Sequence, residues 1–200
     1  MTCLDTLPTT PLSESCIAVL ETKRLVLRAP RLVDAKAVAA LANDRRIADN
    51  TARIPHPYRM ADAENWIIGS NKEPDAETYL ITLADGSVIG SCAFDLRDGP
   101  APELGYWLGA RHWGKGYATE AVHAVIDYAF TDLEHQALQA GSRVTNPASR
   151  RVLEKCGFQW TGVGLYRVRA LNSSAPCDRF RLDRGLWSSL KAWGDVRRVV

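Results

Sequence analysis

The sequence is poor in the residues that would point to a cross-linked, metal-bound or membrane protein. Its five cysteines, Cys3, Cys16, Cys92, Cys156 and Cys177, are odd in number and scattered, without a Cys-x-x-Cys pair. That spacing argues against a disulfide framework and against zinc; no metal is expected, and a reducing cytoplasm is the expected compartment. No uninterrupted apolar run approaches membrane-spanning length, and the N-terminus lacks the basic flank and apolar stretch of a signal peptide. Neither sign of charge is in excess: 25 Lys and Arg stand against 23 Asp and Glu, so neither nucleic acid nor membrane is an expected partner. Internal repeats and low-complexity arrays are also missing. A 200-residue chain of this kind suits one domain with a sizeable core.

Residues 1–20 are rich in Thr, Ser and Pro without a period and read as a flexible tail, leaving residues 21–200 as a single domain. Residues 23–28 read as a strand closed by Pro30. Asp34 is placed to cap a helix holding Val38, Ala39, Leu41 and Ala42. Residues 43–57 read as a loop, and Asp62 as the cap of a second helix carrying Trp66 and Ile67. Residues 79–83 and 88–96 form a hairpin turned by Asp85-Gly86. After a loop at 97–102 comes a strand from Glu103, then a long helix, and a strand at 137–144 that Gly141 weakens. Strands at 158–169 and 178–183 are joined by a polar loop at 172–176, and a short helix at 186–193 follows. Mixed α/β architecture around a central sheet is the outcome.

The organising stretch is Glu103-Leu104-Gly105-Tyr106-Trp107-Leu108, followed by Gly109-Ala110-Arg111-His112-Trp113-Gly114-Lys115-Gly116-Tyr117-Ala118-Thr119-Glu120. An apolar-aromatic run ends in a glycine-punctuated basic turn. Ala121, Val122, Val125, Ile126, Ala129, Phe130 and Leu133 then mark one face of a helix. Strand, glycine turn and helix start together make a phosphate site, because free N–H groups and the positive dipole end converge where glycine lets the anion approach. Gly109, Gly114 and Lys115 fit the spacing of a nucleotide-binding P-loop. However, Gly116 stands where that loop needs a Ser or Thr hydroxyl, and no convincing strand supplies a second metal-holding Asp. The same residues also read as Arg111-x-x-Gly114-x-Gly116 followed by Ala118.

A second constellation, Asn146-Pro147-Ala148-Ser149-Arg150-Arg151-Val152-Leu153-Glu154-Lys155-Cys156-Gly157-Phe158, decides between the two. Asn146 is a good N-cap, Pro147 suits the first helical position, and Gly157 can end the helix in a left-handed conformation. Ser149, Val152, Leu153 and Cys156 share one side, so the Ser149 hydroxyl points inward and needs either a backbone carbonyl one turn away or a ligand atom. The segment resembles the N-x-x-S-x-x-x-L-E-K-x-G-F ending of the GCN5-related N-acetyltransferase (GNAT) superfamily, and the Arg111-to-Ala118 turn resembles its pyrophosphate loop. With Glu103 to Leu108, the likeness is to the RimJ/RimL branch that acetylates ribosomal-protein N-termini. It runs from about residue 21 to residue 187.

The resemblance implies a GNAT fold: a mixed sheet of about seven strands flanked by about four helices, with splayed central strands. It implies acetyl-CoA as cosubstrate and a primary amine as acceptor, a peptide or protein N-terminus favoured. The pantetheine arm would lie between the strands at 104–108 and 137–144 like a missing strand. The diphosphate would rest on Arg111, Trp113, Gly114, Lys115, Gly116, Tyr117, Ala118 and Thr119, with Trp107, Leu108, Asn146 and Ser149 along the arm. A backbone N–H near Leu108 would polarise the thioester carbonyl. An α-amino group, with a pKa of roughly 8 against roughly 10.4 for lysine, needs only a weak base. By resemblance that base is Glu103, acting through a water, and Ser149 is the acid for the thiolate. Leu153 occupies the position where many family members carry a tyrosine acid.

Each assignment has a plainer counterpart. Glu103 also reads as a solvated carboxylate at a strand start, Ser149 as a helix hydroxyl on backbone, and Trp107 and Trp113 as packing and cleft walls. His123 reads as surface and Cys156 as core; Tyr58, His56 and Tyr166 are placed at the acceptor entrance by fold analogy alone. Acceptors such as an aminoglycoside, a polyamine or an amino acid stay open. So do a CoA-binding module without catalysis, a nucleotide hydrolase, and the choice between monomer and homodimer.

Overall fold

Alternation decides the first long-range pairing. Leu25 and Leu27 are almost fully buried while Val26 and Arg28 are only half-buried, the period-two pattern of a strand packed on one face. The computed structural model describes residues 17–72, 76–96 and 101–194. The expected tail lies outside these as far as residue 16, and the expected loop at 97–102 lies outside them at 97–100.

The strands are β1 (Leu20–Glu21), β2 (Leu25–Arg28), β3 (Ala76–Leu83), β4 (Val88–Asp95), β5 (Glu103–Leu108), β6 (Ala137–Arg143), β7 (Gln159–Val168) and β8 (Ser173–Asp183). They form one mixed sheet in the order β1-β2-β3-β4-β5-β6-β8-β7. The helices are α1 (Ala35–Ala42), α2 (Arg45–Ala48), α3 (Met60–Ser70), α4 (Tyr117–Thr131), α5 (Pro147–Lys155) and α6 (Arg184–Gly194). On one face of the sheet, α4 and α5 close a core holding Leu104, Leu108, Val122, Ile126, Phe130, Leu153 and Phe158. On the other, α1 and α3 cover Leu80 and Val88 with Val38, Ala63 and Ile67. Among the described residues the expected mixed α/β sheet has eight strands and six helices, where about seven and about four were expected.

Local chemistry explains where expectation and structure part. Asp34 does precede α1, but its carboxylate is captured by the Arg28 fork at 2.7 and 2.8 Å and by the Arg31 backbone N–H at 2.9 Å, so it makes no cap bond to α1. Asp62 lies inside α3, at its third position, and accepts the N–H of the true cap residue, Arg59, at 2.8 Å. The expected loop at 43–57 contains α2, capped by Asp44 accepting from the Arg46 N–H at 2.9 Å. The loop expected at 172–176 is the start of β8. Residues 173–176 register with 165–168 of β7, and the reversal falls instead at Arg169–Leu171 and Asn172, the latter left-handed at φ +47°. Pairing with a long neighbour outweighs the weak strand preference of Ser and Pro there.

The sheet has one parallel junction, between β5 and β6, and it is short. Glu103 pairs with Gln139 and Leu104 with Ala140, and the Gln139 N–H donates to the Pro102 carbonyl at 2.8 Å. Past Leu104 and Ala140 the two strands no longer register, while each continues beside its outer neighbour, β5 with β4 and β6 with β8. A wedge-shaped gap therefore opens toward the C-terminal ends of both strands.

Candidate active site

The backbone of β5 dictates what faces the gap. Gly109 N–H donates outward to Ile89 of β4, and the Pro102 carbonyl points inward to β6. Strand alternation then turns the amides of Tyr106 and Leu108 into the gap. The Leu108 carbonyl is taken by the Trp113 indole N–H at 2.7 Å, which fixes the strand end and leaves the Leu108 N–H facing the opening. Across the gap, Asn146 caps α5, its side-chain oxygen accepting from the Ser149 N–H at 3.2 Å while its amide nitrogen has no partner among the described residues.

Below the gap the chain turns into α4 through two left-handed glycines, Gly114 at φ +73° and Gly116 at φ +79°. A Cβ on Gly114 would touch nothing, so glycine is required there for the backbone angle and not for room. Arg24 holds this turn in place. Its Nη1 donates to the Lys115 carbonyl at 2.9 Å, its Nε to Glu120 at 2.6 Å, and its guanidinium lies 4.6 Å from the Tyr117 ring centre. Glu120 also accepts from the Thr22 hydroxyl at 2.7 Å and the Arg24 N–H at 2.8 Å. Burial pushes the Glu120 carboxyl upward, but these donors hold it below the usual carboxylate range.

A cleft of about 1100 Å³ joins the gap to a space under the α2–α3 segment. Glu103, Trp107, Leu108, Trp113, Gly114, Gly116, Tyr117, Ala118, Thr119, Asn146 and Ser149 all line it. Two expected site residues do not. Arg111 is exposed and turns its Nε to His112 at 2.9 Å, and Lys115 is exposed, contributing its carbonyl to Arg24. Of the entrance residues expected by analogy, Tyr58 and Tyr166 line the cleft and the exposed His56 does not. His123 is exposed and Cys156 buried.

The Ser149 hydroxyl does not bond a backbone carbonyl one turn away. It shares a hydrogen bond of 2.9 Å with the Tyr106 hydroxyl, which also reaches the Ser149 carbonyl at 3.1 Å. Burial raises the Tyr106 pKa, with the Ser149 bond opposing, so the phenol stays protonated throughout the physiological range. Glu103 stands on the opposite face of β5. Its Oε1 lies 3.4 Å from where a Cβ on Gly141 would be, and the Tyr166 ring lies 3.5 Å from the same point. A side chain on Gly141 of β6 would thus touch both at ordinary contact distance. Burial and the Glu103 charge raise the Tyr166 pKa. Across β4, Asp95 pairs in register with Glu103 and is bridged by Arg53 at 2.8 Å. Arg24 and Asp95 carried no sequence signal of their own, because each acts through a partner far away in the chain, and the partners of Tyr106 and Gly141 are set by the fold.

A splayed parallel pair with inward amides, a left-handed glycine turn at a helix N-terminus, and a cleft joining them fit a pantetheine arm and its diphosphate; together they define an acyl-CoA-binding transferase fold. Residues 24–159 match the model of the acetyltransferase (GNAT) domain. The chain is also 33% identical over 149 residues to the uncharacterized N-acetyltransferase p20 of Bacillus licheniformis, covering 72% of this chain and 84% of that protein. The protein belongs to the GNAT acetyltransferase family and is an N-acetyltransferase that uses acetyl-CoA. In fold it is similar to RimL, a ribosomal L7/L12 alpha-N-protein acetyltransferase in complex with coenzyme A, at TM-score 0.73 and 17% identity over 83% of this chain and 98% of that one. It is similar also to a spermidine N-acetyltransferase from Vibrio cholerae in complex with CoA and spermine, at TM-score 0.71 and 20% identity over 84% and 99%. Among the described residues no helix is long and apolar enough to cross a membrane.

Proposed function

We propose that the acceptor is the α-amino group of a peptide or protein N-terminus. The observation that carries this reading is the position of Glu103, at the point where β5 and β6 part and on the cleft face that continues under α2 and α3. A single carboxylate is a weak base; it suits an amine of pKa roughly 8 far better than a lysine of roughly 10.4. The fold shared with RimL supports the same acceptor class.

Acetyl-CoA supplies an activated acyl group whose carbon the neutral amine attacks. The turn from Gly114 to Ala118 would hold its diphosphate through backbone N–H groups, and Asn146 would hydrogen-bond the arm. The inward Leu108 N–H would donate to the carbonyl oxygen where negative charge develops. Glu103 would take the amine proton through a water. Ser149, with Tyr106 behind it, would return a proton to the departing sulfur.

Incubation with acetyl-CoA and a peptide library, read by thiol release and by mass, tests the acceptor. Glu103→Gln is expected to lower turnover while leaving acetyl-CoA binding intact, with partial recovery at higher pH. Unchanged turnover at neutral pH would remove Glu103 from the mechanism.

A further inference from the structure

The acceptor end of the cleft carries charges of both signs. Among its acids, Asp95 is paired with Arg53 at 2.8 Å and Asp62 accepts the Arg59 N–H at 2.8 Å. Arg143 and Arg169 border the same space, and neither is paired with a carboxylate among the described residues. Both are tied to one short stretch of the roof. Arg143 Nη1 donates to the Asp49 carbonyl at 2.7 Å, and the Arg169 backbone N–H donates to the Ala52 carbonyl at 2.9 Å. Asn50 and Thr51, between those two anchors, line the cleft. The Arg143 Nε is buried and has no acceptor among the described residues. A positive group so placed, with a donor unanswered, is unfavourable until an anion comes near it.

We propose that the acceptor bears a carboxylate close to its amine, and that Arg143 and Arg169 receive this second group. The inference rests on the reading that the cleft takes an amine beside Glu103. Two guanidinium groups that border the same cleft without a carboxylate partner among the described residues offer a place for a negative group. The matching chemistry is a peptide N-terminus followed closely by Asp or Glu, or a free amino acid. A polyamine is the wrong sign for this wall.

The test compares kcat/KM by thiol release for Ser-Asp-Ala-Ala, Ser-Ala-Ala-Ala and Ser-Lys-Ala-Ala, all C-terminally amidated, with free glutamate and spermidine. The aspartate peptide is expected to exceed the alanine peptide by roughly tenfold, the scale of one charge-assisted hydrogen bond. In the Arg143→Gln, Arg169→Gln double variant that ratio should fall to within about twofold, and Arg143→Lys should restore much of it. Should the double variant fail to fold, Arg169→Gln alone, at an exposed position, should still cut the ratio by about threefold. Glutamate outrunning the aspartate peptide would assign the site to free amino acids. A lysine peptide or spermidine as the best acceptor, or a ratio unmoved in the variants, overturns the inference while leaving the amine reading standing. Acetyl-CoA binding with no thiol released by any amine removes both.

Discussion

The hydroxyls of Tyr106, on β5, and Ser149, on α5, lie 2.9 Å apart across 43 residues of sequence. The contact ties the strand that supplies the inward amides to the helix that Asn146 caps. It also gives Ser149 a neighbour that keeps its proton, since burial holds the Tyr106 phenol above its ordinary pKa.

If the pair acts as a unit on the leaving sulfur, its two deletions will not add. Tyr106→Phe should lower kcat by about tenfold and Ser149→Ala by as much or more, with the double variant close to the worse single one. The acetyl-CoA Kd should move less than threefold. Strict additivity in the cycle would mean that the two hydroxyls do not act together on the sulfur.

Gly116→Ala places a side chain at φ +79°, with its Cβ 3.4 Å from the Arg24 guanidinium. The left-handed backbone costs about 1–2 kcal/mol, and relief would rotate the amides away from the position proposed for the diphosphate. A tenfold or larger rise in the acetyl-CoA Kd by titration calorimetry is expected, with a loss in Tm of a few degrees. A Kd within twofold of wild type would show that this turn does not grip the cosubstrate.

These residues show which parts of the site a sequence can display. Gly114, Gly116, Asn146, Pro147 and Gly157 serve needs set within a few positions of themselves, whether a left-handed angle, a cap or a helix start, so they were legible. Tyr106, Arg24 and Arg143 were not, because their meaning lies in Ser149, Glu120 and Asp49, residues brought close only by the fold. Asp34 and Asp62 do stand at helix starts, as their sequence positions imply, but their carboxylates bond the Arg28 fork and the Arg59 N–H. A carboxylate beside an arginine fork or one turn inside a helix answers to the strongest donor within reach. The order of strands and helices was readable from periodicity, whereas β1, two residues long, and the four-residue α2 are too short to carry a period.

Glu120 sets a pH dependence whose sign is fixed by its depressed carboxyl. The folded pKa lies below the unfolded value of about 4.3, so the stabilisation is full above that value and is lost as pH falls through the folded one. Urea denaturation should find wild type more stable than Glu120→Gln by about 1–3 kcal/mol at pH 7, with the gap closing below about pH 4. A gap that persists unchanged at pH 3 would show that the carboxylate charge is not what Arg24 and Thr22 hold.

Strand edges left without partners ordinarily invite other chains to pair with them. Here the open stretches of β5 and β6 face each other inside the sheet, past Leu104 and Ala140, where a neighbouring molecule cannot lay a full strand against either. Hydrogen bonds left unfinished there are kept away from the rim of the sheet, the one place where another chain could complete them.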